Sequence, residues 1–111
     1  MKIFSKGKSI EIGLKKVSEL GKYAGLMFKS RNTEILLFEF KRKLSIHSFF
    51  VFFNFLAVWL DEKNKVIEIN FVKPFLPSVN SPNKAKKLIE IPFNDDNKNL
   101  IKNLVGKERF K

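Results

Sequence analysis

The sequence predicts a small α+β domain, mainly antiparallel β: a barrel or half-barrel of five to seven strands with one or two short helices. Three observations predict it. Short apolar or alternating segments recur along the chain, separated by polar turns of hairpin length, and such turns imply antiparallel pairing. Helical spacing shows only briefly, once early and once late. The chain has 111 residues, 44% of them hydrophobic, which is one domain, 1–111, able to bury a small core.

The elements follow in order. Ser9 to Leu14 alternates polar and apolar, with Ile10, Ile12 and Leu14 on one side, which reads as a strand. From Lys15 the period changes: Val17, Leu20 and Ala24 recur at helical spacing, and Gly21 and Gly25 bracket the end of a short helix. Glu34 to Phe40, EILLFEF, reads as a mostly buried strand, interrupted by Lys41-Arg42-Lys43. An uncharged run from Leu44 to Leu60 follows, with five phenylalanines between Phe49 and Phe55.

That run poses the question of a membrane anchor. It is 17 residues long and contains Ser45, His47, Ser48 and Asn54. A membrane-spanning helix needs roughly 20 mainly apolar residues, and phenylalanine and valine favour strands. The run therefore reads as two strand segments, about Ile46–Phe53 and Phe55–Leu60, with Asn54 at a bulge or turn. Strands this apolar are covered on both faces or line a barrel interior. The run is core, and no membrane partner is expected.

Asp61 to Lys65 reads as a hairpin turn, and Val66 to Val72 as a strand with Ile67, Ile69 and Phe71 on one face and Glu68 and Asn70 on the other. Pro74, Pro77 and Pro82 make Lys73 to Asn83 an extended loop, the best-placed segment for binding. Lys86 to Ile91 is another strand, closed by Pro92. Asn94-Asp95-Asp96 reads as a helix start with negative charge at the positive dipole end, Leu100, Ile101, Leu104 and Val105 as its apolar face, and Gly106 as its C-cap.

This order of motifs resembles the family catalogued as domain of unknown function 192. Gly25-Leu26-Met27-Phe28 resembles its GLMF signature, and Leu36 to Phe40 its following LLF-type strand. Ser45-Ile46-His47-Ser48-Phe49-Phe50 resembles the SIH-x-FF form of archaeal members. Leu60-Asp61, Val66 and Lys73-Pro74 are similar to its LD…V…KP hairpin, Lys84-Ala85 with Leu88 to Pro92 to its KA…LELP strand, and Val105-Gly106 to its closing VG. The resemblance covers about residues 11 to 110 and implies a small β-rich fold with a helix; it implies no activity. The chain departs from the family at Asn54-Phe55-Leu56, where many members have Pro-Ile-Asp or Pro-Leu-Asp, and at Val51, where members often have methionine.

Composition narrows function. There is no cysteine, which excludes disulfides, thiolate metal sites and cysteine nucleophiles and fits a reducing cytoplasm. Net charge is +11, which suggests an anionic partner. The excess is spread evenly along the chain, however, and 19 of the 22 basic residues are lysine, a point charge without arginine's bidentate fork. Nucleic-acid binding, if present, is expected to be weak and nonspecific. A glycine-rich phosphate loop, a GxSxG elbow and a set of metal ligands are all missing from the sequence, so neither metal nor cofactor is expected.

His47 is the single histidine, and a general base needs a carboxylate partner, with Glu39 and Asp61 nearest in sequence. No catalytic residue is assigned. The candidate binding residues are Lys41, Arg42, Lys43, His47 and Lys73. The reading is a cytoplasmic, non-enzymatic binding module for a protein or anionic partner. The alternative is a small-molecule-binding or enzymatic barrel using a pocket near His47.

Overall fold

The computed structural model describes residues 1–17, 32–41, 45–46, 51–75 and 79–106. Expectations for the early helix and the Gly25–Phe28 signature fall outside these residues, as do Arg42, Lys43 and His47.

Nine strands and one helix make up the described chain: β1 Lys2–Ser5, β2 Lys8–Glu11, β3 Lys15–Lys16, β4 Leu36–Glu39, β5 Ser45–Ile46, β6 Phe55–Leu60, β7 Val66–Val72, β8 Val79–Asn80, β9 Lys87–Pro92 and α1 Lys98–Val105. Five of them form the main sheet in the order β3-β4-β9-β6-β7. All its pairs are antiparallel except β3 with β4. Among the described residues the sheet ends in two edges and does not close, which is the half-barrel form of the expectation.

Register sorts the sheet's side chains into two faces, because successive residues of a strand point to opposite sides. On one face stand Leu37, Ile89, Val58 and Ile69 in one row and Ile91, Leu56 and Phe71 in the next. The β1–β2 hairpin and α1 cover this face with Ile3, Ile12, Ile101 and Leu104, all buried. On the other face stand Phe38, Leu88, Trp59 and Glu68, then Leu36, Glu90, Ala57 and Asn70, then Pro92, Phe55 and Val72. Val51, Phe53 and Ala85 are buried against that side, with Val17, Phe40 and Val79 packed around them. All six residues of β6 are buried, as a strand covered on both faces requires.

The turns explain the pairing. Lys6 and Gly7 both have positive φ, 53° and 77°, the backbone that a two-residue hairpin favours, and they join β1 to β2. In the β6–β7 hairpin the Asp61 carboxylate accepts from the backbone N–H groups of Lys63 and Lys65, both at 2.9 Å, and Asn64 takes φ 65°.

Three expectations are corrected. The strand expected through Phe53 does not include Val51 to Phe53, since Val51 to Asn54 has no ladder partner among the described residues. Val51 and Phe53 are nonetheless buried while Phe52 is 59% exposed, so the alternation persists without a sheet. The helix begins at Lys98, leaving Asp95 and Asp96 in the preceding turn and no acidic residue in its first turn. Asn97 fixes this junction: its amide donates to the Pro92 carbonyl at 2.9 Å, and its own N–H reaches the Asn94 side chain at 2.9 Å. Lastly, the expected alternation of β7 breaks at Ile67, an extra residue in the register (Trp59 pairs Glu68, Leu60 pairs Val66), which makes a β-bulge. Gly106 closes the helix as expected, with φ 89° and its N–H on the Lys102 carbonyl.

Leu56 occupies the position where the resembled family carries aspartate, and it is 2% exposed between Phe71 and Ile91. An ionised carboxylate there would sit among Val58, Ile91 and Leu104. Leu56→Asp is expected to cost several kcal/mol, with the largest loss of melting temperature at neutral pH and partial recovery in acid as the carboxyl protonates. Thermal melting across pH measures it, and an unchanged melting temperature would show that a partner for the carboxylate exists.

Candidate functional site

Glu90 is the chemically unusual residue of the fold. It lies on β9, between Leu36 of β4 and Ala57 of β6, and is 5% exposed. Its Oε1 is buried and has no hydrogen-bond partner among the described residues, which is uncommon in folded proteins. Burial pushes the carboxyl up to about 8, so the group is largely protonated at neutral pH. One strand beyond Ala57 stands Asn70, whose side-chain oxygen accepts from the Trp59 indole N–H at 2.7 Å. Trp59 in turn meets Phe40 edge-to-face, with ring centroids 6.1 Å apart. The row thus sets a neutral acid and a carboxamide on one face, about 10 Å apart at roughly 4.8 Å per strand, with only the alanine methyl between.

Sequence reading passed over Glu90. The signal was present, since a lone glutamate inside Leu88-Ile89-Glu90-Ile91-Pro92 breaks an apolar run without the alternation that would place it in solvent.

The other unusual surface lies around β7. Ile67 is 40% exposed and Phe71 45%, and Phe71 meets Phe93 edge-to-face at 5.0 Å. A groove of about 460 Å³ runs beside β7, lined by Leu56, Ile69, Phe71, Phe93 and Leu104 and by the polar Ser5, Lys6 and Glu68. At the Phe55 end of the sheet, exposed Phe52 and Phe75 form a second edge-to-face pair at 5.5 Å. Phe75 does so with φ 62°, a conformation costly for a bulky side chain.

Of the expected binding residues, Lys41 and Lys73 are described, and both are exposed. Register puts them at opposite ends of the sheet. Lys41 follows β4 at the level of Leu60, and Lys73 follows β7 at the level of Phe55. The separation along β6 is about 17 Å at roughly 3.4 Å per residue, so these two do not form one patch. Among the described residues no group of three or more histidines or carboxylates could hold a metal. Among them, too, no helix is long and apolar enough to cross a membrane.

No family model and no curated protein matches the chain. Two solved structures share its fold. A candidate transcription regulator from Sinorhizobium meliloti 1021 aligns with a TM-score of 0.70 at 15% identity, over 89% of this chain and 81% of its own. A protein of unknown function from Novosphingobium aromaticivorans DSM 12444 aligns with a TM-score of 0.63 at 14% identity, over 83% of this chain and 69% of its own. At these identities the likeness is one of fold.

The raised Glu90 pKa has a consequence for stability. The folded state holds this proton up to about pH 8, whereas the unfolded chain releases it in the usual carboxylate range. Stability from this group is therefore full in acid, declines as pH rises, and is lost once pH passes about 8. Glu90→Gln keeps the shape and removes the titration. The variant is expected to melt higher than the parent at alkaline pH, with the difference shrinking steadily toward acid. Melting curves of both proteins across pH measure this, and a parallel pH dependence in the two would contradict the buried, protonated assignment.

Proposed function

We propose that the chain is a non-enzymatic, cytoplasmic binding module for an acidic protein partner. The observation that carries the reading is the pair of exposed apolar side chains along β7, Ile67 and Phe71, beside a groove of mixed polar and apolar lining, in a chain of net charge +11. Exposed large apolar side chains gathered around a groove mark interaction sites, and a strongly basic chain steers toward anionic partners. The fold-level likeness to a candidate regulator is in keeping with a binding role. Kinship with domain of unknown function 192 belongs to the same proposal, supported by the motif order over about residues 11 to 110, and it adds no activity.

A second reading, a small-molecule site, draws on Glu90, since a buried neutral carboxyl can both donate to and accept from a bound molecule. The protein-partner reading has the open surface in its favour, while Glu90 is closed off from solvent.

Nucleic acid is the competitor to an acidic protein, and salt separates the two. Lysine-driven contact with single strands is expected to be weak, indifferent to sequence and steeply reduced by salt, because released counterions drive it. Polyglutamate and labelled oligonucleotides titrated at rising salt are the measurement. Tight, sequence-selective oligonucleotide binding at physiological salt would overturn the proposal.

A further inference from the structure

The two edges of the main sheet differ. At one edge β3 has only two residues, Lys15 and Lys16, both exposed lysines. A very short, lysine-bearing edge is how soluble proteins discourage strand addition. At the other edge β7 has seven residues with Ile67 and Phe71 exposed. The β1–β2 hairpin reaches only the start of β7, where the Phe4 N–H bonds the Asn64 carbonyl at 2.9 Å and Phe4 bridges Lys65. The bulge at Ile67, another device that spoils an edge, lies at this same end. From Glu68 to Val72 the register is regular, and among the described residues only β6 pairs with it. Alternate N–H and C=O groups of that segment therefore face outward.

We propose that β7 is a docking edge that accepts an extended, acidic segment of a partner protein as a sixth strand of the sheet, pairing along Glu68–Val72. It rests on the binding-module reading and names how the module binds. The occupant's form follows from the edge, since a row of free backbone donors and acceptors is satisfied by another strand. Its pattern follows from the groove: on the side of Ile69 and Phe71, alternate side chains of an added strand reach the groove walled by Leu56, Phe93 and Leu104, so these are apolar. Its charge follows from the cations around it, since Lys6 and Glu68 both border the groove and Lys65 and Lys73 bracket β7, three lysines against one carboxylate. A second copy of this chain fits worse. Antiparallel pairing centred on Ile69 sets each Lys65 against the other copy's Lys73, in chains that each carry +11.

The test uses the intact chain and three short fluorescent peptides, read by anisotropy. The first alternates valine with glutamate, the second has lysine for glutamate, and the third has proline at alternate positions. The glutamate peptide is expected to bind, and each of the others to bind at least about tenfold more weakly. Ile67→Ser with Phe71→Ser, which adds no charge, is expected to weaken the glutamate peptide by about tenfold or more at an unchanged melting temperature, while Phe71→Leu retains it. The peptide series needs no variant, so it stands even where the double variant folds poorly.

Equal binding of the proline peptide, or of the lysine peptide, overturns the proposal. So does concentration-dependent dimerisation in sedimentation that Phe71→Lys abolishes, which gives the edge to a second copy. Anionic binding that survives Ile67→Ser with Phe71→Ser overturns the edge and leaves the binding-module reading standing. If neither the glutamate peptide nor polyglutamate binds the unaltered chain, both fall.

Discussion

Burial of β6 on both faces is the constraint on which the rest of the structure depends. Phe55, Ala57 and Trp59 point one way and Leu56, Val58 and Leu60 the other, all out of solvent. At about 25 cal/mol per Å² of apolar surface removed from water, leaving either side open would forfeit several large side chains' worth of stabilisation. One side is closed by the β1–β2 hairpin and α1, through Ile3, Ile12, Ile101 and Leu104. The other is closed in part by Val51, Phe53 and Ala85. The junctions serve that closure. Asn97 ties the helix to the end of β9 through the Pro92 carbonyl, and the Asn54 carbonyl accepts from the Phe93 N–H at 3.0 Å, holding the chain entering β6 against the same strand end.

Placing β9 and β6 side by side in the middle has two outcomes. It brings Glu90 into the interior with no hydrogen-bond partner for Oε1 among the described residues, a cost the fold limits by keeping the carboxyl protonated. It also sends β7 to the edge, where among the described residues only β6 pairs with it. Buried acid and open edge thus have one origin, the strand order β4-β9-β6-β7.

Much of this was legible in the sequence, for local reasons. The apolar run of β6, the Asp61–Lys65 turn, the extent of β7, the strand closed by Pro92 and the glycine cap at Gly106 each follow from a pattern a few residues long. The β1–β2 hairpin was missed because its signal is the single pair Lys6-Gly7 between two four-residue strands. The helix start shifted because asparagine and aspartate serve turns as readily as caps, and Asn94 to Asn97 holds several in a row. The candidate site was less legible, for a non-local reason. Strand order decides that Lys41 and Lys73 lie at opposite ends, that Glu90 is interior and that Ile67 and Phe71 lie on an edge, and no short pattern encodes strand order.

The central claim is that one sheet is sealed at β6 and β9 and open at β7, and native-state hydrogen exchange tests it most directly. Amides of β6 and β9 bonded to neighbouring strands are expected to exchange only through global unfolding. In β7, from Glu68 to Val72, protection is expected to alternate, slow where the N–H faces β6 and close to the free-peptide rate where it faces outward. Uniformly strong protection along β7, equal to that of β6, would contradict the open edge.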